Sequence, residues 1–100
     1  MKRYYKNKNV DFDYRKPVAK FFRKHEKLRE EFEDSIMKIL NMDHAEQVNV
    51  KPLHGRFKGY SRIAIGSYRI IYQIINGEIV VVSVEYAGSR GDVYKRFQGN

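Results

Sequence analysis

Cysteine is absent from the sequence, so the chain can form neither a disulfide framework nor a thiolate metal site and has no thiol nucleophile. No stretch approaches the ~20 apolar residues that span a bilayer. The first residues, Met1 to Lys6, also lack the apolar run of a signal peptide. We therefore expect a cytoplasmic protein that is neither exported nor held in a membrane.

One hundred residues suit a single domain, and a hydrophobic share of 42% is enough for one modest core. No internal repeat or low-complexity tract divides the chain. We therefore expect residues 1–100 to form one domain with one functional site.

The charge is strongly basic, with 20 Lys and Arg against 12 Asp and Glu and a net charge of +8. Acidic residues concentrate between positions 26 and 46, whereas basic residues dominate after position 51. Such a basic surface attracts polyanions, although the same charge could serve only to keep a small domain dissolved.

The first half of the chain predicts a strand followed by two helices. Val10, Phe12 and Tyr14 alternate with aspartates, as in a half-buried strand, and Pro17 suits the first turn of a helix. From Val18 onward, apolar residues recur at steps of three or four. One unbroken helix would be about 40 Å long, which is too long for this domain, so we expect a break near His25 and a helical hairpin.

The second half predicts a basic loop and then a sheet. Residues 43–59 show no clean period and carry Pro52 and two glycines, which indicates a loop. The segments 60–65, 68–75 and 79–86 are rich in Ile, Val and Tyr. Gly66-Ser67 and Asn76-Gly77 separate them and are hairpin signals, so we expect three antiparallel strands in a meander.

The turns also predict which side chains share a face of the sheet. A two-residue turn at Gly66-Ser67 places Ile65 opposite Tyr68. A three-residue loop, Asn76 to Glu78, separates polar from apolar residues best and places Arg69 opposite Glu85. One face then lies under the helices with Ile63, Ile65, Ile70, Tyr72, Val80, Val82 and Val84. The opposite, open face is predicted to display Tyr60, Arg62, Arg69, Gln73, Ser83 and Glu85.

After the last strand, two glycines flank Arg90, which leaves its backbone free to turn. Val93 and Phe97 are spaced to pin one short helical turn. This segment should bring Arg90 and Tyr94 to an edge of the sheet.

Three ordered motifs lie in this second half of the chain. They read Leu53-His54-Gly55-Arg56-Phe57-Lys58-Gly59-Tyr60-Ser61-Arg62-Ile63, Gly66-Ser67-Tyr68-Arg69-Ile70-Ile71-Tyr72 and Gly88-Ser89-Arg90-Gly91-Asp92-Val93-Tyr94. In their order and spacing they resemble the RelE/ParE superfamily of toxins. The resemblance implies a small α+β domain of the RelE-like kind. In it, an N-terminal strand and a helical hairpin pack on one face of an antiparallel sheet, and a short C-terminal turn or helix follows.

The resemblance further implies a toxin of a type II toxin-antitoxin system that cleaves messenger RNA on the ribosome and is silenced by an antitoxin. In such a reaction a ribose 2′-hydroxyl attacks the adjacent phosphate, which requires proton transfer and cationic stabilisation but no metal and no cofactor. Family members use arginines and a C-terminal Tyr or His, and the matching positions are Arg69, Arg90 and Tyr94. Further RNA-binding residues are expected at Lys51, His54, Arg56, Lys58, Tyr60 and Arg62.

Each of these residues has a simpler interpretation. Arg69 could pair with Glu85 across two strands, and Arg90 could serve phosphate positioning or antitoxin binding. Tyr94 could be a packing aromatic, and His54 a solvated loop residue rather than a proton shuttle.

Two other functions remain open at this point. A ParE-like toxin shares the scaffold but poisons DNA gyrase through a protein interface. A non-catalytic RNA-binding module is also compatible with a helix, a three-stranded meander and a C-terminal turn, although the N-terminal strand and the arginines on the open face argue against it.

Overall fold

The computed structural model describes residues 3–93, which form two helices and one sheet of six strands. The helices are Lys16–Arg23 (α1) and Glu26–Asn41 (α2). The strands are Arg3–Tyr5 (β1), Lys8–Tyr14 (β2), Asn49–Pro52 (β3), Ser61–Ile65 (β4), Tyr68–Asn76 (β5) and Val80–Ser89 (β6). Short 3-10 turns lie at Ala45–Gln47 and Gly55–Phe57. Within the described part of the chain, neither helix is long and apolar enough to cross a bilayer.

The two helices form the predicted hairpin. A single helix over both would be about 40 Å long, which exceeds the largest extent of the molecule, 37 Å. The chain leaves the helical path between Arg23 and Glu26. There the ring of His25 stacks on Phe21 at 4.2 Å between centroids, and its Nδ1 lies 2.9 Å from the carbonyl oxygen of Phe21. The break predicted near His25 is therefore confirmed.

The sheet has the strand order β1-β2-β6-β5-β4-β3. Neighbouring strands are antiparallel except β2 and β6, which run parallel. The prediction of a purely antiparallel sheet was wrong in this one pairing, because the helical hairpin carries the chain away from β2 before β6 returns beside it. The sequence also failed to indicate β1 and β3. They are edge strands of three and four residues, too short to show an alternating pattern, and β3 lies inside the segment interpreted as a loop.

The main core lies between the helices and one face of the sheet, as predicted. Phe22, Phe32 and Ile36 of the helices are almost completely buried. They meet the apolar face of the central strands, whose buried members are Val10, Ile63, Ile70, Tyr72, Val80, Val82 and Val84. Half-buried residues such as Phe21, Ile39 and Ile65 extend this core at its margin.

The register of the first hairpin is confirmed, with Ile65 opposite Tyr68. The second hairpin differs, because Asn76 pairs with Val80 and the connecting loop is therefore residues 77–79. This two-residue shift keeps each side chain on its predicted face. Further along, Tyr72 pairs with Val84, whereas Ile71 pairs with Tyr86, so Glu85 is the extra residue of a β-bulge.

Candidate functional site

The open face of the sheet, opposite the helices, is crossed by two rows of paired residues from β3, β4, β5 and β6. One row runs through Asn49, Ala64, Arg69 and Gly88. The next row runs through Lys51, Arg62, Ile71 and Tyr86. The first row lies nearer the Gly66-Ser67 turn. It places Arg69, one of the predicted catalytic residues, on the open face.

The two predicted catalytic arginines, Arg69 and Arg90, both bond to the turn between β4 and β5. The guanidinium of Arg69 donates from Nη1 to the carbonyl oxygens of Gly66, at 2.9 Å, and Tyr68, at 2.8 Å. The backbone nitrogen of Arg90 donates to the carbonyl oxygen of Ser67 at 2.9 Å. We call this part of the open face the arginine end. It holds one guanidinium against the backbone and anchors a second arginine, which is exposed, through its main chain.

The predicted pairing of Arg69 with Glu85 is wrong. The shift of the second hairpin moves the partner of Arg69 by two positions and the bulge moves it by one more, so that Gly88 lies opposite Arg69. Glu85 instead accepts a hydrogen bond from Nε of Arg15 at 2.9 Å and another from the hydroxyl of Ser83 at 3.2 Å. The Glu85 carboxylate thus bonds to Arg15, which immediately precedes α1, and does not lie opposite Arg69.

The open face is not wholly polar. Ile71 and Val93 are almost completely buried in a second apolar cluster on this face. The half-buried residues packed around them are Leu53, Phe57, Tyr60 and Tyr86. Tyr60, which was predicted to bind RNA, therefore lies partly within this second cluster.

The remaining basic residues surround the second cluster. Lys51, His54 and Lys58 are exposed. Arg56 is also exposed, with its guanidinium carbon 5.4 Å from the centroid of the Phe57 ring. The chain from β3 to β4 thus buries its apolar side chains against the sheet and turns its basic ones to solvent.

Arg62 lies on the sheet itself, opposite Ile71. Its Nη2 donates to the Oδ1 of Asn49 at 3.3 Å. Its Nε is buried and has no hydrogen-bond partner among the described residues. Arg62 thus joins the two rows of the open face.

The C-terminal turn stays close to the sheet as far as the structure describes it. The backbone nitrogen of Asp92 donates to the carbonyl oxygen of Ser89 at 3.2 Å, and the hydroxyl of Ser89 donates to the Oδ2 of Asp92 at 3.2 Å. Neither Gly88 nor Gly91 has the left-handed φ that would explain a glycine there. The third predicted catalytic residue, Tyr94, lies outside the described residues, as does Phe97.

A cleft of about 690 Å³ opens between α1 and the end of β6. Val18, Phe21 and Tyr68 give it an apolar side, and Tyr86 and Gly88 also line it. Within residues 3–93, no three histidine or carboxylate side chains come together as a metal site would need.

Burial on the helix-covered side strongly perturbs two tyrosines. Desolvation raises the pKa of Tyr72 to about 12, although a hydrogen bond with Ser61 partly opposes the shift. Desolvation also raises the pKa of Tyr14, and the hydrogen bond that its hydroxyl donates to Glu33 acts in the same direction. Both phenols are structural groups of the core side.

A helical hairpin thus packs on one face of a small curled sheet, and Arg62 and Arg69 lie on the other. The sequence model for the ParE toxin of type II toxin-antitoxin systems matches residues 12–90. The chain therefore belongs to this family, and it is a toxin of a type II toxin-antitoxin system.

Solved structures agree in fold. The chain is similar to a chain of the RelB-RelE antitoxin-toxin complex from Methanococcus jannaschii, with a TM-score of 0.55 and 23% identity, covering 85% of this chain and 98% of that one. It is also similar to YafQ from E. coli strain BL21(DE3), with a TM-score of 0.60, 16% identity and the same coverage, 85% and 98%. The sequence search among curated proteins found no match.

Proposed function

We propose that this toxin is a metal-independent endoribonuclease that cleaves messenger RNA on the ribosome and thereby arrests translation. The observation that carries the proposal is the arginine end, where the Arg69 guanidinium and the Arg90 backbone both bond to one turn of an open basic face. Two guanidinium groups brought to one phosphate bind it well, because each presents several donors in a fixed plane.

The proposed reaction is a transesterification within the RNA strand. The 2′-oxygen forms a bond to the neighbouring phosphorus, and the bond from phosphorus to the 5′-oxygen breaks. A base accepts the 2′-hydroxyl proton, and an acid protonates the departing 5′-oxygen. Negative charge builds up on the phosphorane between these steps, and positioned cations stabilise it.

In this proposal Arg69 and Arg90 bind the scissile phosphate, and Tyr94, by its match to the family motif, handles a proton. The surrounding residues hold the RNA strand and the ribosome supplies the rest of the substrate geometry. Those surrounding residues are Lys51, His54, Arg56, Lys58, Tyr60 and Arg62.

A cognate antitoxin is the partner that the family and the RelB-RelE neighbour support. We further propose that it docks through acidic residues and an amphipathic helix, covering the open face or displacing the C-terminal turn. Reversing the charges of Arg56, Lys58 and Arg90 together should weaken this complex strongly at low salt. Unchanged affinity of the triple variant would place the antitoxin elsewhere.

A ParE-like gyrase poison is the second candidate, and the matching family model favours it because that model is named for the ParE toxin. We rank it second, since a protein interface with gyrase does not require two arginines at one turn of an open face.

Adding the purified toxin to a translating extract separates the two functions. We expect cuts in a defined messenger RNA, mapped by primer extension, and no DNA breaks linked to gyrase in a parallel reaction. Arg69→Ala and Tyr94→Ala should each lower the cleavage rate, and Tyr94→Phe tells whether the Tyr94 hydroxyl or its ring matters. Gyrase-linked breaks without messenger RNA cuts would overturn the proposal in favour of the second candidate.

A further inference from the structure

We infer that Tyr86 is a substrate-contacting residue of this site, and that its hydroxyl donates a hydrogen bond to the phosphate bound at the arginine end. The inference rests on the proposed function and deepens it. No motif in the sequence indicates this role for Tyr86, and three features of the structure carry it.

The first feature is the β-bulge at Glu85. Without the extra residue, the pairing of Tyr72 with Val84 would continue to Ile71 with Glu85, and Tyr86 would point into the core beside Ile70. With it, Tyr86 pairs with Ile71 on the open face. Bulges are common beside active sites because they re-aim a side chain in this way.

The second feature is the glycine two residues further on. A Cβ placed on Gly88 would lie 2.8 Å from the Cζ of Tyr86 and closer still to its hydroxyl oxygen. The phenol therefore lies directly over the backbone of Gly88, and any larger residue would displace it. Because Gly88 is the cross-strand partner of Arg69, the hydroxyl is held in the same row as that arginine.

The third feature is the packing of the ring. Tyr86 is half-buried against Ile71 in the second apolar cluster, which restrains its orientation. Tyr86 also lines the cleft beside β6, together with Gly88, Ser89 and Asp92. Its side chain is only half-buried, so a ligand can reach it.

A phenol fixed in this way is a suitable partner for a phosphate oxygen. A hydroxyl donating to a charged acceptor forms a stronger hydrogen bond than one between neutral groups. Because the ring is already restrained, little reorganisation is needed when charge develops on the phosphate.

Tyr86→Phe is the direct test, since it keeps the ring over Gly88 and removes only the hydroxyl. In single-turnover cleavage of messenger RNA on programmed ribosomes, we expect a loss in rate of about 10- to 100-fold at saturating toxin, as for hydrogen bonds to charged groups. The melting temperature should stay at the parent value. The matched control is Tyr4→Phe, an exposed tyrosine on the edge strand β1, which should cleave at the parent rate.

Gly88→Ala tests the geometry independently. The new methyl group should displace the phenol and lower the cleavage rate, but it should cost little further rate once Tyr86→Phe has removed the hydroxyl. The two changes should therefore be strongly non-additive in a double-mutant cycle.

The role of Tyr86 and the proposed nuclease function can be refuted separately. If the parent toxin cleaves messenger RNA and Tyr86→Phe cleaves at the same rate as Tyr4→Phe, the role of Tyr86 is refuted and the nuclease remains. Additive losses in the Gly88 and Tyr86 cycle would also refute it. If the parent toxin itself cuts no messenger RNA on ribosomes, the proposed function falls and takes this inference with it.

Discussion

The two faces of the sheet differ in what their side chains do. The helix-covered face is a continuous apolar layer, and its residues are explained by packing against α1 and α2. The open face combines a small apolar cluster with arginines, a bulge and a glycine under a tyrosine ring. Packing explains only part of these features of the open face. The difference indicates that packing accounts for the helix-covered face and leaves part of the open face to the binding that we propose.

The largest expected effect contrasts the two apolar clusters. Phe32→Ala, in the main core, should lower the free energy of unfolding by about 3–5 kcal/mol, because it leaves a large cavity. Ile71→Ala, in the second cluster, should cost less, about 2 kcal/mol, since this cluster is small and all its other members except Val93 are only half-buried. Urea unfolding of both variants measures the difference. An equal or larger loss in the free energy of unfolding for Ile71→Ala would mean that the second apolar cluster stabilises the fold as much as the main core does.

Alkaline pH should weaken the helix-covered face. Because the pKa of Tyr72 rises from 10.0 to about 12 on folding, the folded state holds this proton more tightly than the unfolded chain does. Its stabilising effect is complete below pH 10 and is lost as the pH rises through 12. The loss should be on the order of 2 kcal/mol, and Tyr72→Phe should reduce it whereas Tyr4→Phe should not. Identical pH profiles for the parent and Tyr72→Phe proteins would refute this account.

A smaller effect on stability is expected from Arg69, the residue that we propose to bind phosphate. Its two hydrogen bonds to the carbonyl oxygens of Gly66 and Tyr68 tie the β4–β5 turn. Arg69→Ala should therefore lower the free energy of unfolding by about 1–2 kcal/mol, in addition to any effect on activity. Thermal unfolding checks this. An unchanged melting temperature would show that these bonds contribute nothing to folding.

Much of the helix-covered face could be predicted from the sequence, because the alternation from Ile63 to Val84 and the helical periodicity from Val18 to Leu40 record burial directly. The turn at Gly66-Ser67 fixed the first register through the local chemistry of the turn. The strands β1 and β3 were not predicted, because edge strands this short show too little alternation of polar and apolar residues.

The candidate site was less predictable. Arg69 and Arg90 were found through the family motif, and their meeting at one turn depends on contacts between distant segments. Neither the exact position of the second hairpin loop nor the bulge at Glu85 left a clear local signal, so the predicted partner of Arg69 was wrong and Tyr86 had no predicted role. One signal was present in the spacing, since a glycine two residues after a strand tyrosine lies beneath it on the same face.

Arg90→Ala tests the central claim, that the open face binds substrate independently of stability, more cleanly than any change at Arg69. Arg90 is exposed, and within residues 3–93 its side chain makes no hydrogen bond or ion pair. The measurement is the rate of messenger RNA cleavage on ribosomes, taken together with the melting temperature of the same preparation. We predict a rate lower by on the order of a hundredfold at an unchanged melting temperature. Cleavage at the parent rate by a folded Arg90→Ala protein would contradict the account.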